Sequence, residues 1–124
     1  LARRGLRTHP ESSLHGLMQA KPLSAALLYQ AARGGDRFAM HVFETTGEFL
    51  GIGIAAFVNI FNPEAVVIGG GLSRAHRFFM PSLRTALARH ALPAFRAGVR
   101  FHMARDVVRG AALGAAKLAV DRFS

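Results

Sequence analysis

Asn62-Pro63-Glu64-Ala65-Val66-Val67-Ile68-Gly69-Gly70-Gly71-Leu72-Ser73 is the stretch on which the fold turns. Pro63 cannot continue the apolar helix expected before it. Ala65 to Ile68 is a short, wholly apolar run, expected as a strand buried on both faces. Three glycines follow, suited to positive φ or to close backbone approach. A helix is expected a few residues later. Helix, strand, glycine turn, helix is half of an α/β unit. Its glycines stand at the strand's carboxyl end, where open parallel sheets bind ligands.

Upstream, Asp36 is placed to cap a long helix, roughly Arg37 to Asn62. Phe43, Leu50, Ile54, Phe57 and Phe61 make one apolar stripe along it. Gly47, Gly51 and Ala55 repeat every four residues on another face. Glycine inside a helix costs about 1 kcal/mol relative to alanine, so close packing is expected there. Beyond Phe49 the helix is apolar almost all round, which predicts cover on most sides. The run Phe49 to Phe61 is only 13 residues, against about 20 for a bilayer span, so it reads as a core helix. Before it, Ala25, Leu28, Tyr29 and Ala32 fall at helical spacing behind Ser24 as cap, and Gly34-Gly35 ends that helix. Residues 1–23 are poorly patterned and read as an irregular lead-in with one short helix around Ser13 to Gln19.

Downstream, Arg74, His76 and Arg77 follow the glycine turn as a basic patch. Pro81 suits the first turn of a helix whose Leu83, Ala86 and Leu87 face inward, and Leu92-Pro93 ends it. Val99 to Met103 alternates and reads as a strand with one face on the core. Asp106 is placed to cap a last helix, Val107 to Phe123. The order is α, α, β, α, β, α, with two parallel strands joined by a crossover. Two parallel strands do not make a buried sheet alone, so Ala65 to Ile68 is expected to borrow neighbours from a further segment or a partner.

Composition bounds the chemistry. With 124 residues the chain is at most one domain. Leu1 is not methionine, and the chain is expected to be a piece of a longer one. No secretory signal pattern opens it. It has no cysteine, which excludes disulfides and thiolate metal sites and fits a cytoplasmic protein. The net charge of +9 is uneven, for residues 41–71 hold three acids and no Lys or Arg. An anionic partner is one reading. A solvated, Arg-rich surface is the simpler one, because the bases are scattered without a run or interleaved aromatics.

One set of motifs goes further. Gly51-Ile52-Gly53-Ile54-Ala55, Val58-Asn59, Asn62-Pro63-Glu64 and Val67-Ile68-Gly69-Gly70-Gly71 resemble, in order, the ROK family of repressors, open reading frames and sugar kinases. The resemblance runs from residue 24 to 124. It implies a ribonuclease-H-like fold of the actin, sugar-kinase and heat-shock-chaperone superfamily, of which this is the carboxyl-terminal portion of the second lobe. By that match Gly69, Gly70 and Gly71 form the adenosine motif, whose backbone lies against the adenine and ribose of ATP. ATP with Mg2+ is the implied cofactor. Gly114-Ala115-Ala116 matches the small-residue helix that joins the lobes, although Val108-Arg109-Gly110-Ala111 departs from the acidic pattern that usually precedes it. The family's phosphate loop, catalytic aspartate, sugar-binding Glu–His pair and zinc site have no counterpart in these residues. No catalytic or metal-binding residue is therefore assigned.

The remaining polar residues have structural readings. Asp36 and Asp106 are caps, and Asp121 is a surface partner of Lys117. Ser73 either bonds a ribose hydroxyl or caps the next turn, and the cap is preferred. Asn62 terminates its helix, and Asn59 is expected to bond loop backbone. Histidines 9, 15, 41, 76, 90 and 102 lack metal-ligand spacing. Glu44 and Glu48 read as a solvated helix face. The resemblance then implies either a sugar kinase, of which this portion holds ATP, or a regulator, in which it senses a sugar effector and dimerises. DNA is a partner only in the second case, and a homo-oligomer is expected in both. A truncated remnant without activity is the third reading. A missing amino-terminal lobe is the expected partner throughout, and no membrane is.

Overall fold

The computed structural model describes residues 2–19, 21–96 and 98–104. The expected last helix, with Asp106, Gly114, Ala115, Ala116 and Asp121, lies outside them. Four helices come first: α1 (Ala2–Leu6), α2 (Leu14–Leu17), α3 (Ala25–Arg33) and α4 (Arg37–Phe61). Strand β1 (Ala65–Ile68) leads into a 3-10 turn, Gly71–Ala75. Helices α5 (His76–His90) and α6 (Pro93–Arg96) and strand β2 (Arg100–Met103) complete the order.

The two caps form as the sequence dictates. Ser24 accepts from the Leu27 amide at 3.2 Å, and Asp36 accepts from the Ala39 amide at 3.0 Å. Asn62 ends α4 in the left-handed conformation, φ 46°, which Asn tolerates better than most residues. Asn59 does bond loop backbone. Its amide nitrogen donates to the His90 carbonyl at 3.1 Å, and its oxygen accepts from the Leu92 amide at 2.8 Å.

The strands pair in parallel, Ala65 beside Arg100 through Ile68 beside Met103. Phe101 and Met103 turn to the core, while Arg100 and His102 are exposed. The core lies between α4, α5 and one sheet face. Phe79, Leu14, Leu83 and Val58 are its largest fully buried side chains. Residues 2–19 contribute to it through Leu6 and Leu14. They are tied down by Asp36, whose second carboxylate oxygen accepts from the Ser12 hydroxyl, the Ser13 hydroxyl and the Ser13 amide.

Several expectations are corrected. β1 is not buried on both faces: Ala65 is exposed and Val67 is 64% exposed. β2 covers one edge, and among the described residues nothing pairs with the other. α4 is not covered on most sides. α5 takes one face and α3, α6 and α1 touch it more lightly, which leaves Phe49, Phe57, Ile60 and Phe61 exposed. Helix α5 begins five residues before Pro81, which sits inside it. Burial of Phe79 and Met80 in that first part outweighs the one hydrogen bond a proline forfeits. On α3 the buried positions are Leu27, Ala31 and Ala32, with Ala25 exposed and Leu28 and Tyr29 half-buried. The apolar stripe is rotated from its expected position because α3 also packs against the 3-10 turn.

Candidate nucleotide-facing cleft

The glycine turn emerges at the carboxyl end of β1. Gly70 has φ 83° and ψ −169°, a backbone region essentially reserved for glycine. Gly71 opens the 3-10 turn, and a Cβ on either residue would meet nothing within 4 Å. The three glycines are exposed. Their backbone therefore borders open space rather than packing.

Ser73 holds the turn in place. Its amide donates to the Gly70 carbonyl at 3.1 Å. Its one hydroxyl proton is shared between the Gly70 carbonyl at 2.7 Å and the Ala104 carbonyl at 3.0 Å. Ser73 is buried and does not cap the next helix, which corrects the preferred reading. It stitches the turn to the residue after β2. The carboxyl ends of the two strands are thus tied together through Ser73.

Two cavities open beside the turn. One of about 200 Å³ is lined by Ala26, Tyr29, Gly70, Gly71 and Arg74. The other, about 510 Å³, is lined by Tyr29, Ser73, Arg74, His76 and Met103. Gly69 lines neither. Tyr29 and Arg74 border both, and neither residue was singled out as a site from the sequence, where Tyr29 read as core and Arg74 as part of a basic patch. Among the described residues no carboxylate lines these cavities. Arg33 lies over the Tyr29 ring at 5.8 Å, and Phe78 meets that ring edge-on at 6.2 Å. Among the described residues only His41 and Glu44 approach as an ion pair, at 3.7 Å, so no described carboxylate neutralises the cations around the turn. A separate cavity of about 520 Å³ between α4 and α5 carries mixed charge, with Glu44 and Glu48 facing Arg77. No cluster of three metal-ligating side chains occurs among the described residues. No described helix is long and apolar enough to cross a membrane.

An α/β layer with a glycine turn at the carboxyl end of a parallel strand defines a ligand-binding class of fold. The chain's sequence places it within that class: the model of the ROK family matches residues 1–122, and the chain belongs to the ROK family. It is 34% identical over 123 residues to a glucokinase of Thermotoga maritima, across 98% of this chain and 38% of that protein. It is 33% identical to the DNA-binding transcriptional repressor Mlc of Escherichia coli, across 94% of this chain and 28% of the repressor. The chain thus spans about a third of the length of these relatives. A crystal structure of a candidate sugar kinase from Cytophaga hutchinsonii shares the fold, with a TM-score of 0.73 at 24% identity over 82% of this chain and 34% of that one. A ROK family transcriptional regulator homologous to Mlc superposes with a TM-score of 0.67 at 26% identity, over 83% of this chain and 27% of that one.

Proposed function

We propose that these residues are the nucleotide-holding, carboxyl-terminal portion of the second, ribonuclease-H-like lobe of a ROK-type sugar kinase. The parent transfers the γ-phosphate of ATP to a hexose hydroxyl. Gly69, Gly70 and Gly71 supply the backbone against which adenosine rests. The observation that carries the reading is the exposed turn itself, with Gly70 in a conformation other residues avoid and a cleft beside it that no described carboxylate lines. Phosphoryl transfer is accelerated mainly by positioning and charge stabilisation. This portion would contribute positioning, and the phosphate loop, the catalytic aspartate and the sugar contacts would come from the other lobe. Mg2+ would arrive with the nucleotide.

On this reading the bare edge of β1 and the bare face of α4 are covered in the parent by upstream strands of the same lobe. The 124 residues alone should show no phosphotransfer. ATP binding by the full-length protein should be lost in Gly70→Asp, where a side chain is forced into a glycine-only conformation and a negative charge is set beside the nucleotide. Unchanged ATP affinity in a folded Gly70→Asp protein would overturn the assignment.

The similarity to Mlc across most of the chain favours one alternative: a ROK-type regulator in which this lobe senses a sugar and dimerises while an upstream winged helix binds DNA. The upstream sequence decides. A helix-turn-helix before the first lobe favours the regulator, and an intact phosphate loop with its aspartate favours the kinase.

A further inference from the structure

We propose that the cavity between α4 and α5 binds a small zwitterion, a molecule with a primary ammonium at one end and a carboxylate at the other. This cavity shares no lining residue with the two beside the glycine turn, and the proposal does not depend on the kinase reading. Gly47 and Gly51 bring α4 against the backbone of Phe79 and Leu83. The cavity, about 520 Å³, opens beside that contact and is walled by both helices. A second hollow of about 260 Å³ adjoins it, with Glu48, Ser82 and Thr85 common to both.

The charges in the wall are divided by helix. Glu44 and Glu48 come from α4, one turn apart on the same face, and Arg77 comes from α5. All three are exposed. Among the described residues Glu48 and Arg77 have no ion-pair partner, and Glu44 has His41 at 3.7 Å. The acids and the arginine line one cavity without being spent on each other. Arg77 lies over the Phe78 ring at 4.7 Å, which sets its plane at the cavity wall. Pro81 adds a further acceptor. It has no N–H, so the Arg77 carbonyl one turn earlier lacks its usual helical donor. An ammonium brings three donors and no acceptor, which suits two carboxylates and a carbonyl. A carboxylate suits the fork of a guanidinium. Met40, Phe78 and Pro81 supply an apolar wall for a short hydrocarbon spacer. The carboxylates repel a dianion and Arg77 repels a diamine, so one charge of each sign is selected.

Calorimetric titration of the full-length protein with 4-aminobutyrate tests the proposal, with butylamine and butyrate as probes that keep one charge each. The zwitterion should bind with a Kd on the order of 1 mM, the scale of contacts to exposed charges. Each single-charge probe should bind about threefold more weakly or worse, and added salt should weaken the zwitterion. The variants should act crosswise. Arg77→Gln should remove the advantage of 4-aminobutyrate over butylamine, and Glu48→Gln its advantage over butyrate. Both side chains are exposed, so both variants should fold. No saturable binding of 4-aminobutyrate to the full-length protein would overturn the proposal. Equal binding of 4-aminobutyrate and butylamine would overturn it by making the cavity a cation site. Advantages that survive in the folded variants would place the ligand elsewhere and overturn it too. ATP affinity, which Gly70→Asp tests, enters none of these outcomes, so the two readings stand or fall separately.

Discussion

Helix α4 has two apolar faces that have met different fates. On one, Gly47, Gly51 and Ala55 lie buried beneath α5, and a Cβ added at Gly47 or Gly51 would run into the carbonyl oxygens of Phe79 and Leu83. On the other, Phe49 and Phe57 stand 66% and 62% exposed on either side of Gly53, where an added Cβ would meet nothing within 4 Å. An apolar groove of about 410 Å³ runs over that second face. Both faces carry the same kind of sequence: small residues and large apolar ones at helical spacing. The contrast shows that hydrophobic pattern alone does not tell which face of a helix is covered within these residues.

The largest effect should separate the two faces. Phe79 is fully buried between α5 and α4, so Phe79→Ala should cost about 3–5 kcal/mol in denaturant unfolding of this chain. Phe57→Ala removes an equal side chain from the bare face and should stay within about 0.5 kcal/mol. Equal losses would mean that Phe57 is packed and the contrast is mistaken. Gly51→Ala comes next. The added methyl must displace the Leu83 backbone and the Ala86 side chain, and overpacking of this kind costs about 1–3 kcal/mol. A stabilised Gly51→Ala would show that α5 does not press on α4 as described.

The loop between α5 and β2 is pinned to the covered side by Asn59. Asn59→Ala removes both bonds to His90 and Leu92 and should cost about 1–2 kcal/mol. A loss below the error of the measurement would mean that water replaces both bonds at no cost. Asp36 pins the opposite end of α4. Burial pushes its carboxyl up, but bonds donated by the Ala39 amide, the Ser13 and Ser12 hydroxyls and the Ser13 amide outweigh that and hold it below the ordinary value. A depressed folded value means stability that is complete above about pH 4 and is lost as pH falls through the native value. Asp36→Asn should flatten that acid limb in unfolding measured against pH. An unchanged limb would assign the acid sensitivity to other carboxylates.

Much of this was legible in the sequence because it is local. The caps Ser24 and Asp36, the helix stop at Asn62 and the alternation of β2 each depend on residues within one turn or strand. What was not legible depends on distant residues. Asp36 showed its cap but not its grip on Ser12 and Ser13, which lie more than 20 positions away. Ser73 looked like a cap because nothing nearby foretells its bond to Ala104. Pro81 looked like a helix start because local rules place it there, whereas burial of Phe79 decided the outcome. The glycine turn was read as a candidate from its own residues and the family resemblance. Tyr29 and Arg74 were not, since only the packing of α3 against the turn sets them together.

The smallest effect cuts the comparison most finely, because its sign should depend on what surrounds the helix. Gly53 lies mid-helix with open space beside it, so Gly53→Ala should stabilise this chain by about 1 kcal/mol through helix propensity alone. Within the full-length protein the same methyl should destabilise, because the groove between Phe49 and Phe57 would then hold the strands of the completed lobe. A gain in both settings would mean that the groove stays open in the parent. The exposed aromatics would then need another explanation than an absent part of the same lobe. A loss in this chain alone would mean that α4 is already covered on that side, and the two faces would no longer differ.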